Sequence, residues 1–359
     1  MLSNQKKIKE GVLGVSFIDN QVRWTHVVED EGNYNVAAYG QMPVPDIAGN
    51  GEDIHQKDVI RRLAQRLTPL GVYKHIPVVA AVSEAVGIFF QTFLSSEISQ
   101  DDTIDMFIDR ELEERTGSDP RSFMCEYDII TTDADTKILA VSAYPQPFLQ
   151  SLHSLFDRIG FDDIHVESAL HALVRLHATD AEVRFFITHD QSVIHLSLAH
   201  GSAILDHRII PVGERIWTDV IKKSLKVDDE KAENIFRNYG LKQSHKEPRV
   251  YTSIMETLTP LQEAFRDMKS MLVKGEKHLR IDPHQIKEVV CYGSATHTPG
   301  FMRAVETFTH LDVSPIDVWR RSLSPSQELP IIDGYEAPEF ASALAVGTEL
   351  LLEQKGKNS

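Results

Sequence analysis

Two similar stretches of the chain, residues 18–44 and 188–212, carry the acidic residues with the clearest chemical potential. In each, an apolar strand enters a turn containing an aspartate, Asp19 or Asp190, and an alternating strand leaves it. A glycine turn then starts a third strand, the pattern of a hairpin that is extended once more. A carboxylate in such a turn could organise Mg²⁺ beside a phosphate, because Mg²⁺ prefers carboxylate and phosphate ligands.

A structural role competes with this chemical one for both aspartates. Asp19 precedes an Asn and Asp190 precedes a Gln, and aspartate often makes tight turns through hydrogen bonds to its own backbone. We therefore favour turns over metal ligands. The histidines His189, His195 and His200 have neither ligand-like spacing nor a carboxylate partner, so the sequence predicts no metal site.

A glycine-bounded loop, residues 293–300, follows the buried strand 289–292 and precedes a helix that starts at Phe301. Its glycines, Gly293 and Gly300, could let the backbone approach a nucleoside, or they could simply turn the chain from strand to helix. Both alternatives remain open. The chain contains no GxxxxGK[ST], GxSxG or HExxH motif, so protein classes that depend on those motifs lose support.

The repeated hairpins organise the whole chain, because a repeat of a structural unit predicts a duplicated fold. We expect an α/β protein with two related, actin-like lobes built on duplicated ribonuclease-H-like units. The predicted first lobe covers residues 10–83 and 146–181, with a closing helix at 338–352 packed on it. Residues 84–145 form a small inserted α+β subdomain of strand, helix, strand and strand. The second lobe covers residues 182–337.

Several further helices and strands can be read from periodicity and from glycine stops. An amphipathic helix is expected at 58–70, and one long amphipathic helix is expected from Pro248 to Gly275. The inserted subdomain should contain strands at 86–93, 123–132 and 137–144 around an acidic helix at 101–116. Residues 320–335 are rich in Ser and Pro and should form a loop.

Composition places the chain among ordinary globular proteins. Its 359 residues are 42% hydrophobic and 25% charged, and the net charge is −16. This charge argues against nucleic-acid binding and against direct adhesion to anionic lipid. Two cysteines without metal or disulfide spacing favour a reducing cytoplasm. No stretch reads as a membrane helix, so direct membrane insertion is not expected.

The order and spacing of these segments resemble the PilM/FtsA branch of the actin-like ATPases, from about Gly11 to about Leu352. Residues 211–233 are similar to the family's link between a phosphate hairpin and a helix. The loop 293–300 is similar to its nucleoside loop, and residues 341–350 to its closing helix. The inserted subdomain resembles the extra subdomain of this branch.

The resemblance implies a nucleotide cleft of which four residues remain recognisable: Gly213, Glu233, Gly293 and Ser294. Elsewhere the chain departs from the family pattern. Ser16, Phe17 and Ile18 stand where nucleotide-binding members carry an Asp, a variable residue and a Gly, and Phe236 stands where a Lys is usual. The bulky residues would crowd a phosphate. We therefore expect no cofactor and no catalytic residue, with Mg-ATP binding as the alternative.

The resemblance also implies a partner and a location. In this family the groove between the first lobe and the inserted subdomain receives a short N-terminal peptide of PilN, a bitopic membrane protein. The chain is accordingly expected to be a cytoplasmic scaffold of a type IV pilus or secretion complex, held at the inner membrane by partners such as other pilus-platform proteins. Residues 78–82 and 88–93 are the candidate walls of the peptide groove. Alternatives are an active ATPase of the same fold and an FtsA-like division scaffold, against which the polar tail 353–359 argues. A homo-oligomer is possible.

Overall fold

The computed structural model describes most of the chain. The described residues are 11–18, 21–30, 33–43, 61–65, 75–95, 101–133, 136–177, 182–242, 248–274, 285–317, 332 and 336–358. They divide into two compact units. The first comprises the described residues of Met1–Val86, Pro145–His177 and Asp317–Ser359, and the second those of Gly87–Tyr144 and Ala178–Ile316.

The strands of both units, in chain order, are β1 Gly11–Ile18, β2 Gln21–Asp30, β3 Asn33–Pro43, β4 Val78–Val82, β5 Ile88–Ser95, β6 Phe123–Asp133, β7 Thr136–Pro145, β8 Ile164–Ser168, β9 Val183–His189, β10 Ile194–His200, β11 Ala203–Ile210, β12 Ile286–Cys291 and β13 Val313–Pro315. The α-helices are α1 Asp101–Thr116, α2 Gln146–Ile159, α3 Ala169–His177, α4 Glu214–Leu225, α5 Asp229–Tyr239, α6 Pro248–Thr257, α7 Thr259–Lys274, α8 Phe301–Thr309 and α9 Ala341–Asn358.

The same five-stranded sheet occurs once in each unit. The strand orders are β3-β2-β1-β4-β8 in the first and β11-β10-β9-β12-β13 in the second. In both sheets the first three strands of the order are antiparallel neighbours, and the last two add in parallel. The duplication predicted from the two hairpins is thus present in the strand order and direction of both sheets.

Helix α9 lies across the sheet of the first unit and contacts β1, β2, β4 and α3. Small residues allow this close approach: a Cβ placed on Gly14 of β1 would lie 1.9 Å from the carbonyl oxygen of Ala343. On the helix, Gly347 comes similarly near Val27, with 3.1 Å between an added Cβ and the valine methyl Cγ2. The alanine- and glycine-rich sequence of α9 is therefore used for packing against a strand.

The inserted block is a three-stranded sheet, β5-β7-β6, with α1 packed on one face. The other face of its central strand β7 contributes Ile138 and Ala140 to the apolar core of the second unit. The sequence predicts a separate subdomain, residues 84–145, inserted in the first lobe. In the structure the block contacts β11, and Gly87–Tyr144 lies in the same compact unit as Ala178–Ile316.

The structure differs from the sequence prediction at the helix that follows Pro248. The long helix predicted from Pro248 to Gly275 is wrong, because the structure has α6 and α7 there with a break at Leu258. Pro260 explains the break, since proline lacks an N–H and its ring clashes with the preceding helical turn. Of the helix predicted at 58–70, only the helical residues 61–65 are described, and the predicted loop 320–335 lies almost wholly outside the described residues.

Candidate functional site

The second hairpin turn, between β9 and β10, is closed by the side chain of Asp190. Its carboxylate oxygen Oδ1 accepts hydrogen bonds from the backbone N–H of Ser192 at 2.6 Å and of Val193 at 2.7 Å. The backbone N–H of Asp190 donates to the carbonyl of Val193 at 2.9 Å. The turn role that the residue type favoured is therefore the one that the structure shows for Asp190.

These hydrogen bonds occupy the groups that a phosphate would need. A phosphate-binding hairpin presents backbone N–H groups to an anion. Here a carboxylate of the chain itself already accepts from two of them, and its other oxygen, Oδ2, lies 3.8 Å from Nε2 of His195. The donor set at this turn therefore does not fit a bound phosphate in the conformation described.

The same contacts determine the charge of Asp190. Partial burial by itself would raise the pKa of this carboxyl, but the nearby imidazole of His195 and the hydrogen bonds from the backbone N–H groups of Ser192 and Val193 outweigh it. The net result is a pKa below the ordinary aspartate value. Asp190 is thus held as a carboxylate at neutral pH, which strengthens its hydrogen bonds to the turn.

Gly213 precedes α4 and lies directly against this turn. A Cβ at Gly213 would lie 2.7 Å from the backbone of Ser192 and 2.8 Å from the carbonyl oxygen of Asp190. The N–H of Glu214 donates to that carbonyl at 3.3 Å, and Arg215 N–H to the carbonyl of Gln191 at 2.9 Å. The absence of a side chain at Gly213 is therefore needed for the helix to pack on the hairpin.

Gly293 and Ser294 begin the loop after β12, which is the parallel neighbour of β9. Gly293 has φ +59°, a left-handed conformation that favours glycine, and an added Cβ would lie 2.8 Å from Oγ1 of Thr188. The carbonyl of Ser294 accepts from the N–H groups of His297 and Thr298, both at 3.1 Å. These contacts favour the turning role for Gly293, one of the two alternatives that the sequence left open.

The backbone conformation also explains why residue 300, at the other end of the loop, is a glycine. Its φ is +82°, and an added Cβ would lie 2.6 Å from the backbone nitrogen of Lys242. Gly240, at the end of α5, packs as closely on the loop, because its added Cβ would lie 2.3 Å from the carbonyl oxygen of Pro299. The end of α5 and the loop 293–300 are thus in direct contact.

Glu233, the fourth remnant residue, lies on the exposed side of α5. It pairs with Arg237 one turn further along the helix, with 3.7 Å between the charged groups. The neighbouring Phe236 points the other way, into the core, where its ring lies 5.7 Å from that of Trp217. Phe236, which stands where the resemblance implies a lysine, is therefore a core residue.

His189, at the end of β9, is a core histidine. It is fully buried between Trp217 and Phe301, at ring distances of 5.1 and 5.0 Å, and its Nε2 lies 2.8 Å from Oγ1 of Thr298. Burial lowers its pKa to about 4, so the ring is neutral at pH 7. Within the described ranges, no group of three or more His, Cys, Asp or Glu could hold a metal ion.

The turn of the first hairpin cannot be compared with that of the second, because Asp19 and Asn20 lie outside the described residues. Ser16 of β1 is buried, and Phe17 turns its ring toward Phe156 of α2 at 6.3 Å. The sequence predicted that Phe17 would crowd a phosphate. The structure instead gives its ring a packing partner on α2.

The two candidate groove strands differ in what they offer to a peptide. β4 is buried along its whole length and pairs with β1 on one edge and with β8 on the other. β5 pairs with β7 on one edge, and in the described part of the chain no second strand is paired with it. Its Gln91 side chain donates to the carbonyl of Leu205 on β11. Only β5 therefore retains an edge that an added strand could use.

One surface was missed at the level of sequence. The outer strand of the inserted sheet, β6, exposes Met124, Tyr127 and Ile129. Apolar and acidic residues mix along 123–129, and this pattern predicted a strand there. It did not predict that this strand would lie at the edge of the sheet with one side open.

The duplicated sheets and the inserted block together define the class of the protein: the chain has the actin-like ATPase fold. It is similar to MreB5 of Spiroplasma citri in structures with ADP and with AMPPNP, with TM-scores of 0.54 and 0.51 and identities of 9% and 10%. The alignments cover 97% and 98% of this chain and 98% of each MreB5 chain.

Within this fold, the chain is also similar to a chain of the PilM-PilN type IV pilus biogenesis complex. The TM-score is 0.67 at 15% identity, over 95% of this chain and 99% of that chain. No protein-family model matches the sequence, and no curated protein does either. No helix in the described parts of the chain is long and apolar enough to cross a membrane.

Proposed function

We propose that the protein is a cytoplasmic actin-like scaffold of a type IV pilus or related secretion complex at the inner membrane. It binds the N-terminal peptide of a PilN-like bitopic membrane protein and reaches the membrane through that partner. Its role is binding and coupling, without ATP hydrolysis. The protein is thus a pseudo-ATPase that keeps the fold of its relatives.

The observation that carries this proposal is the turn at Asp190. A carboxylate of the chain accepts from the N–H groups of Ser192 and Val193, where a nucleotide-binding hairpin would present such groups to phosphate. Gly213 and Gly293 are two of the four remnant residues. Close packing explains why Gly213 is a glycine, and a left-handed backbone conformation explains Gly293, and neither explanation requires a nucleotide. These features support a lobe that holds its shape without a ligand.

The likeness to the PilM-PilN complex supports the partner, since it extends over nearly the whole of both chains. A peptide in an extended conformation needs an open strand edge and side-chain contacts. Strand β5 has such an edge. Phe89 on β5 is half-buried, and its ring lies 4.8 Å from that of His207 and 6.0 Å from that of Tyr144. We expect the partner peptide to lie along this strand.

The partner arm of the proposal is tested by calorimetric titration with the N-terminal cytoplasmic peptide of the PilN-like protein from the same genome. We expect binding in the micromolar range or tighter. Phe89→Arg should weaken it at least tenfold, because it places a charge in an apolar contact. Tyr239→Arg is the matched control, since Tyr239 is 58% exposed on α5 of the same unit. Absence of binding, or equal loss in both variants, would refute the peptide mode.

The nucleotide arm is tested by thermal unfolding with millimolar Mg-ATP, Mg-ADP or buffer. A ligand of the folded state adds about 2.7 kcal/mol at a hundredfold excess over Kd, which a melting curve detects easily. We expect no shift with either nucleotide. A clear shift that depends on Mg²⁺ would instead support the active ATPase, and hydrolysis would then be measured directly.

A further inference from the structure

The outer strand of the inserted sheet, β6, exposes an unusual number of large apolar side chains. Met124, Tyr127 and Ile129 on β6 are 44%, 36% and 47% exposed, and Met106 on the neighbouring helix α1 is 73% exposed. In the rest of the described chain only Ile209 and Tyr239 are comparable. Exposed apolar side chains concentrated on one element mark an interaction surface more often than scattered ones do.

Strand β6 also has an open edge. The sheet order β5-β7-β6 places β7 in the centre, so β6 pairs with β7 on one edge only. Among the described residues, no strand pairs with the other edge. An edge strand of this length, Phe123–Asp133, is a template for an added strand unless its residues prevent pairing.

The charge around β6 is strongly negative. The described acidic side chains of β6 and α1 are those of Asp105, Asp109, Glu111, Glu113, Glu114, Glu126 and Asp128. The only basic residues of these two elements already have contacts. Arg110 lies over the ring of Phe107 at 4.8 Å, and Arg115 lies over Phe90 and pairs with Glu111.

The charge of α1 reaches the strand itself, as Cys125 in β6 shows. Burial is the main cause that raises the pKa of its thiol to about 11, and the carboxylates of Asp109 and Asp105 contribute to the rise. These acidic side chains therefore act on the first residues of β6. A partner that approaches this edge meets apolar side chains and negative charge together.

These features select one kind of occupant. A second copy of this chain is disfavoured, because two acidic edges would lie side by side and the whole chain carries a charge of −16. We propose that β6 receives, as an added strand, an extended segment of a partner protein in which basic and apolar residues alternate. The site is separate from the β5 edge and goes beyond the proposed function, since it gives the scaffold a second peptide-binding edge.

The test uses the full chain and fluorescein-labelled peptides of about ten residues, the length of a long strand. The first peptide alternates lysine with valine. The second alternates glutamate with valine, and the third has the composition of the first but with lysines and valines in separate blocks. Fluorescence anisotropy in moderate salt should show binding of the first peptide only. Equal binding of the block peptide would mean charge attraction without strand addition and would overturn the proposal.

Matched variants locate the binding edge. Glu126→Lys combined with Asp105→Lys should weaken binding of the lysine–valine peptide about tenfold, because opposite-charge contacts become like-charge contacts. Glu306→Lys with Asp312→Lys changes the net charge equally on exposed residues, one on α8 and one just before β13, and should have little effect. Equal loss in both pairs would refute a site at β6.

The apolar contribution and the folded state are checked separately. Ile129→Ser should weaken binding of the lysine–valine peptide. Ile209→Ser, which changes a residue 45% exposed on β11, should leave this binding unchanged. Bound peptide should also slow alkylation of Cys125, measured by mass spectrometry, while Cys291 is fully buried and stays unreactive. All variants must melt within a few degrees of the wild type. If no peptide binds and Cys125 reacts unchanged, the acidic residues only protect the edge and the proposal fails.

Discussion

Replacing Asp190 by alanine should destabilise the second unit, because its carboxylate closes the turn between β9 and β10. The variant loses the hydrogen bonds from the N–H groups of Ser192 and Val193, which are 2.6 and 2.7 Å long. Hydrogen bonds to a charged group contribute about 1.5–3 kcal/mol each when buried. Ser192 is exposed, so its N–H can bond to water after the change, whereas Val193 is half-buried. We therefore expect a loss of about 2–3 kcal/mol in total.

The loss is measured by urea unfolding together with hydrogen exchange of the turn amides. Asp190→Ala should increase exchange at Ser192 and Val193 and lower the free energy of unfolding of the second unit. Asp190→Asn keeps an oxygen acceptor without its charge and should cost about half as much. Asp162→Ala removes an exposed aspartate of the first unit and is the control.

The pH dependence gives a second, independent check on the charge. The folded-state pKa of Asp190 is lowered, so its stabilising contribution is present above the unfolded value and is lost as the pH falls through the folded value. The difference between wild type and Asp190→Ala should be constant from pH 7 to 5 and should shrink below about pH 4. A difference under about 0.5 kcal/mol at pH 7, or unchanged amide exchange, would refute the role assigned to this carboxylate.

Two further outcomes follow from packing and from burial. Gly14→Ala should lower the free energy of unfolding by about 3 kcal/mol, because its Cβ would lie 1.9 Å from a backbone oxygen of α9. Gly117→Ala is the control: Gly117 has φ +68° and open space around an added Cβ, so the change should cost only about 1 kcal/mol. Equal losses in the two variants, measured by urea unfolding, would contradict the packing described. Burial lowers the pKa values of His26 and His189 to about 4, so the folded state binds fewer protons than the unfolded state between about pH 4 and 6.5. Stability should therefore fall as the pH drops through this window, and replacing His189 by Phe should reduce that slope in urea unfolding at pH 7.5 and 5.5.

Much of the fold was predictable because its signals are local. Alternation and turn residues placed the hairpin strands within a few residues, and the acidic helix at Asp101–Thr116 matches its predicted bounds. The break between α6 and α7 was missed because apolar periodicity continues across Leu258 while Pro260 interrupts the hydrogen bonds. The contacts between β5 and β11 could not be predicted, since the two strands are far apart in sequence.

The candidate site was only partly predictable, because a glycine can stand at a position for either of two physical reasons. It can make room for a ligand, or it can make room for the chain itself, and the sequence pattern is the same in both cases. The direction of the missing Cβ distinguishes them. At Gly213 it points at the backbone of the hairpin, and at Gly293 it points at Thr188. Neither glycine can therefore be counted in favour of a nucleotide, which leaves exposed Glu233 and loop residue Ser294 as the remaining support for the active ATPase.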